Sequence, residues 1–170
     1  MRKATTFGIL VLVVSIGGAF AWRPMLILHA AVTGELPVAG FKPGRGIGGL
    51  GTLEIGSLGA GMTATATSGY LYSLERGNLI GFNRVPILGG FKFGGQETAA
   101  YISTELGAVL THSELKTGGS DDETNLGWDI GLGKEIGPID LRVTFNDLVV
   151  PGPDAMSVGL TLGFRLWDNI

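Results

Sequence analysis

The segment IDLRVTFND, residues 139–147, alternates with a period of two. Ile139, Leu141, Val143 and Phe145 fall on one side, and Asp140, Arg142, Thr144 and Asn146 on the other. Successive side chains of an extended chain point to opposite faces, so this pattern predicts a strand between two unlike environments; a helix would mix the two classes. The pattern recurs. LGWDIGLGK sets Leu126, Trp128, Ile130 and Leu132 against Gly127, Asp129, Gly131 and Gly133. MSVGLTLGFRLW sets Met156, Val158, Leu160, Leu162, Phe164 and Leu166 against Ser157, Gly159, Thr161, Gly163 and Arg165. YISTELGAVLT, RVPILGGFKFGG, GMTATATSG and GGLGTLEIG behave alike, and PMLILHAAVTG is apolar on both faces. Eight strands are expected, over 24–34, 47–56, 61–72, 84–94, 99–112, 125–134, 139–148 and 156–167, with no helical periodicity among them.

The connections are expected to alternate in length. Residues 35–46, 73–83 and 113–124 are long links, while 57–60, 95–98 and 135–138 are short ones with turn residues such as Gly137-Pro138. Short turns at one end and longer loops at the other describe an up-and-down meander of hairpins, as in transmembrane barrels. The loop TGGSDDET reads as a polar, solvated tip.

Composition decides which face is inside. Charged residues are only 16 % of the chain, mean hydropathy is +0.35, and there are 30 glycines. A water-soluble barrel would have to present glycine, serine and threonine to solvent, with few lysines or glutamates, and crowd Trp128, Phe145 and Phe164 into the narrow lumen of eight strands. The inverted arrangement removes both difficulties. The large apolar face meets lipid, and the lumen holds Glu54, Lys92, Glu105, Asp129, Asp140, Arg142 and Arg165, four acids and three bases that offset one another. Arginine at the bilayer midplane of a lipid face costs about 2–4 kcal/mol, which turns Arg142 inward. Closure also gives every backbone amide a partner inside the bilayer, and strands of about 9–11 residues suffice to cross it.

Three segments, YISTELGAVL, LGWDIGLGKEIGPIDLRVTFND and SVGLTLGFRLW, resemble the C-terminal half of the eight-stranded outer-membrane barrels of Gram-negative bacteria, the OmpA/OmpX-like and opacity-type family. The resemblance covers residues 99–167, and the N-terminal half is similar by pattern alone. It implies an all-β, eight-stranded antiparallel up-and-down transmembrane barrel in the outer membrane, without enzymatic activity or cofactor. Membrane lipid and lipopolysaccharide would surround it, the barrel assembly machinery would insert it, and it would act as a monomer. The expected role is envelope structure or surface interaction through the longer loops. Two alternatives stand beside it: an outer-membrane barrel enzyme modifying lipids, and a soluble exported lipocalin-like barrel binding a small apolar ligand.

Other motifs carry less. GIGGLG, with Gly46, Gly48 and Gly51, matches a dinucleotide-binding spacing, but TLEIG after it reads as a strand rather than a helix. His112 and Ser113 are adjacent and so point to opposite faces, which suits a nucleophile–base pair poorly; His29 is a second candidate base. Asp121, Asp122 and Glu123 offer oxygen ligands for Ca²⁺ but read as solvated, so no metal site is assigned. Trp22, Tyr70, Tyr72, Trp128 and Trp167 are candidates for interfacial aromatic belts. A net charge of −3 gives no footprint for nucleic acid, and the absence of cysteine excludes disulfides and thiolate metal sites.

Arg2 and Lys3, an apolar run from Phe7 to Ile16 and the A-x-A of Ala19-Phe20-Ala21 predict a secretory signal peptide over residues 1–21, with the barrel domain over 22–170. An uncleaved anchor is the alternative reading of that segment.

Overall fold

The computed structural model describes residues 24–39, 45–57, 61–74, 79–94, 99–149 and 156–168. The predicted signal segment and Trp22 lie outside them. Eight strands succeed one another: β1 (Pro24–Ala39), β2 (Gly46–Ser57), β3 (Met62–Ser73), β4 (Leu79–Gly94), β5 (Ala100–Leu115), β6 (Ser120–Ile136), β7 (Ile139–Val149) and β8 (Met156–Asp168). Each pairs antiparallel with its sequence neighbour, and β1 pairs with β8, so the sheet closes on itself and has no edge.

The strands are longer than hydrophobic alternation alone indicates. β1 runs on through Ala39, β4 starts at Leu79 and β6 starts at Ser120. The polar tip expected over 113–124 is therefore mostly ladder: Ser113 pairs with Asp121 and Glu114 with Ser120, and the turn is confined to 116–119. Gly118 and Gly119 take φ of 81° and 120° there, a region that side-chain-bearing residues avoid. The expected contrast between long and short links shrinks accordingly, to 40–45, 74–78, 116–119 and 150–155 at one end against 58–61, 95–99 and 137–138 at the other. The reason is physical. Above the apolar belt both faces of a strand meet water, so backbone pairing continues where the hydrophobic pattern has stopped.

Inside and outside are sharply different. Leu28, Val32, Leu36, Ile47, Ile55, Ile87, Phe91, Ile102, Leu106, Leu132, Phe145 and Leu160 are all exposed on the outer face. Only Ile27, Leu71, Tyr101 and Val109 are buried large apolar or aromatic side chains among the described residues. Apart from Pro86 and glycines, the rest of the buried set is polar, chiefly threonines 33, 52, 63, 65, 67, 111, 144 and 161, with Glu35, Glu54, Arg84, Glu105, Asp129, Asp140 and Arg142. A lipocalin-like barrel needs the reverse, an apolar interior to receive an apolar ligand.

Two local devices complete the pattern. Tyr101 lies across Gly133, where any Cβ would overlap its ring, so glycine in β6 is what admits an aromatic side chain to the lumen. At the base, Leu166 is an extra residue in β8, since Trp167 pairs with Leu28 while Arg165 pairs with His29. One inserted residue reverses the parity of the residues after it. Trp167 is thereby turned outward, 51 % exposed, and Asp168 comes opposite the buried Ile27. Tyr70 and Tyr72 are exposed near the other rim, whereas Trp128 is only half-exposed.

Candidate functional site: the ionised lumen

Inward positions of seven of the eight strands, all but β3, bring acids and bases together at three levels. Near the turn end, Lys92 of β4 donates from Nζ to Glu54 Oε1 and Oε2 of β2 at 2.9 and 3.1 Å, and also to Glu135 of β6. Arg165 of β8 donates to the other Glu135 oxygen at 3.0 Å and to Asp168 at 3.3 Å. His29 of β1 places Nε2 3.2 Å from Glu54 Oε1. The Lys92 ammonium stands 4.3 Å from the centre of the Tyr101 ring, and the Tyr101 hydroxyl donates to Asp140.

At mid-height, Thr52 and Thr67 are linked at 2.9 Å, and Thr67 donates to Glu105 at 2.8 Å. Glu105 and Asp129 are cross-strand partners, and Arg142 supplies the positive charge felt by both. A cavity of about 50 Å³, with Thr33, Thr67, Asp129, Arg142, Thr144 and Thr161 in its wall, adjoins them. Glu105 Oε2, Asp129 Oδ1 and Arg142 Nε have no protein hydrogen-bond partner. The cavity is large enough for a few waters that would satisfy them, and too small for a solute. Toward the loop end, Arg84 of β4 donates to Glu35 of β1, and Asn146 donates to the second Glu35 oxygen at 3.1 Å.

All seven residues named from the sequence face the lumen. Glu54, Lys92 and Arg165 share the base, and Glu105, Asp129 and Arg142 share the middle; Asp140 is tied to Tyr101. Sequence reasoning missed Glu35, Arg84, Glu135 and Asp168. Parity would have found three of them: Glu35 is two residues after Thr33, Glu135 two after Gly133, and Arg84 eight before Lys92. Asp168 is reached only through the bulge. The inward balance among described residues is therefore seven acids (35, 54, 105, 129, 135, 140, 168) against four bases (84, 92, 142, 165), not four against three.

The other motifs have plain structural roles. GIGGLG lies within β2, and Gly48 is bare because Leu71 and the Tyr70 carbonyl lie against it. Asp121, Asp122 and Glu123 are consecutive and exposed in β6, so their carboxylates alternate in direction instead of converging. His112 pairs with Asp122, Nδ1 to Oδ1 at 2.6 Å, while Ser113 Oγ approaches the Asp121 carbonyl at 3.5 Å. No serine–histidine hydrogen bond forms among the described residues, and His29 is in the lumen.

The β5–β6 hairpin above the belt does carry a titrating contact. The hydrogen bond that the His112 imidazole donates to the Asp122 carboxylate raises the His112 pKa above the ordinary 6.5, with the Asp122 and Glu114 charges acting in the same direction. A raised folded pKa means that the contact stabilises the hairpin fully below that ordinary value and ceases to do so as pH rises through the folded pKa. Corrected for the intrinsic base-catalysed rate, the protection of amides at residues 112–124 against hydrogen exchange is expected to be higher at pH 5 than at pH 8, and His112→Ala is expected to abolish that difference.

No family model and no curated protein sequence matches the chain. Solved structures do. Ail, the attachment invasion locus protein of Yersinia pestis, is similar with a TM-score of 0.63 at 12 % identity over 84 % of this chain and 98 % of Ail. Ail in complex with the heparin analogue sucrose octasulfate gives 0.58 at 10 % identity over 84 % and 99 %. The N-terminal β-barrel domain of Pseudomonas aeruginosa OprF gives 0.59 at 14 % identity over 82 % of this chain and 97 % of that domain. At these identities the likeness establishes the fold, a closed eight-stranded antiparallel barrel shared with outer-membrane proteins.

Proposed function

We propose that the chain is an integral, monomeric protein of the bacterial outer membrane. Its barrel is sealed to solutes by its own side chains, and it serves envelope structure or surface contacts at its loop end without catalysing a reaction. One observation carries the reading: within the belt the large apolar side chains are mostly outside, and the buried side chains are mostly polar or ionised. In water that arrangement would expose a continuous apolar belt while burying charges, and only lipid around the belt makes it stable. Lipid and lipopolysaccharide are then its surroundings, and the barrel assembly machinery its route of insertion.

The tip of the β5–β6 hairpin has a sign. Over residues 112–124, Glu114, Asp121, Asp122 and Glu123 face solvent against Lys116 as fixed positive charge. A polyanion such as the heparin analogue bound to Ail would be repelled from this hairpin, so a basic partner fits it better.

Fractionation tests the placement. The mature chain is expected in the outer-membrane fraction, released only by detergent, with a gel mobility that changes on boiling. Recovery in the periplasmic fraction without detergent would overturn the reading.

A further inference from the structure

We propose that the base of the lumen binds a divalent zinc ion through His29, Glu54 and Glu135. The inference rests on the barrel's interior and not on where the barrel resides. β1, β2 and β6 each contribute one ligand atom, and the three atoms lie within 4.8 Å of one another. His29 Nε2 and Glu54 Oε1 are 3.2 Å apart. Two ligands on a tetrahedral zinc, each about 2.0–2.2 Å from the metal, stand about 3.3–3.6 Å from each other, so this edge is nearly formed.

Two independent observations point to a cation. The first is His29 itself. It is 4 % exposed; Nδ1 has no partner, and Nε2 stands 3.2 Å from Glu54 Oε1 without the angle of a hydrogen bond. A buried imidazole without such a bond is costly, and metal coordination is a partner that its lone pair can take. The second is the charge balance. Seven inward acids face four inward bases among the described residues, and at the base Glu54, Glu135 and Asp168 face Lys92 and Arg165. The base is thus left with one negative charge in excess and the lumen with three, a field that favours entry of a cation. An imidazole nitrogen with two carboxylate oxygens suits zinc better than magnesium or calcium, which prefer all-oxygen sites.

Lys92 already bridges the two carboxylates that zinc would use, so lysine and metal compete. A displaced ammonium can keep its contact with the Tyr101 ring, whose centre is 4.3 Å away, and turn toward Asp140, which accepts a hydrogen bond from the hydroxyl of that tyrosine. Glu135 and Arg165 are 22 % and 25 % exposed at the turn-end mouth, which gives an ion a route in. Water completes the coordination.

The test is titration of the folded full-length chain in detergent micelles with Co²⁺, whose visible absorption reports tetrahedral nitrogen–oxygen coordination, followed by displacement with Zn²⁺. A saturable signal of one ion per chain is expected. His29→Gln and Glu135→Gln are expected to weaken it at least about tenfold, and Lys92→Met to strengthen it at least about tenfold. His112→Ala, which removes the one other histidine, is expected to leave it unchanged. Heat-modifiable mobility verifies that each variant is folded, and if His29→Gln does not fold, Glu135→Gln at the mouth decides. The proposal is overturned if the wild-type chain gives no saturable signal, if the signal survives loss of either ligand or depends on His112, or if Lys92→Met binds no more tightly.

Discussion

Arg142→Met is expected to destabilise the folded barrel by about 3–5 kcal/mol, the usual cost of leaving buried opposite charges without their counter-charge. Arg142 is 6 % exposed and lies close enough to Tyr101, Asp129, Glu105 and Asp140 for them to act on it electrostatically. Methionine keeps an unbranched stem but ends about two atoms short of the guanidinium nitrogens, so the loss combines charge with a small void, and a second substitution separates the two. Neutralising the stranded acid should then help. In the double variant Arg142→Met, Asp129→Asn, at least about 1 kcal/mol is expected to return, because coupled neighbours depart from additivity on that scale. Urea unfolding in short-chain lipid vesicles measures both. If the single variant is as stable as the parent, or if the second change lowers stability further, the mid-lumen cluster is not held by Arg142. Replacing the whole cluster with apolar residues of matched volume is a different experiment, and buried ion groups often tolerate it.

The fold is legible in the sequence because the two environments are so unlike. Alternation locates seven of the eight strands, with β1 read from an apolar run on both faces, and the cost of an exposed arginine turns the barrel inside out from residues such as Arg142 and Trp128. What escapes lies where that contrast fades. Asp121, Asp122 and Glu123 read as a loop because a strand wetted on both faces has no hydrophobic period. Glu35 and Arg84 escape for the same reason, as they occupy the parts of β1 and β4 at or beyond the limits of the expected spans. Asp168 depends on one inserted residue, and no periodic reading anticipates a bulge. The pairing within the lumen is hidden differently. Which base meets which acid depends on strands distant in sequence, such as β4 with β6 for Lys92 and Glu135, and period two specifies only that both face inward.

The same contrast sets the effect of a charge on the outer face, and depth should scale it. Leu106 is 56 % exposed in the middle of the β5 apolar stretch, four residues from Ile102 below and from Leu110 above, beyond which the polar His112 begins. Leu106→Arg therefore puts a guanidinium near the bilayer midplane, at an expected cost of about 2–4 kcal/mol. Leu141 is equally apolar and 43 % exposed, but it is the third residue of β7, just after the turn at Gly137-Pro138. Near an interface the arginine reaches headgroups and water, and the expected cost of Leu141→Arg falls to about 0–1 kcal/mol. The comparison separates lipid exposure from packing, since both leucines lie on the same face and neither fills the lumen. Folded fraction and urea unfolding in vesicles measure the two costs side by side, and thicker acyl chains should widen the gap by moving Leu106 farther from either interface. Equal costs at the two positions, or a Leu106→Arg protein that inserts as well as its parent, would mean that the outer belt does not meet hydrocarbon.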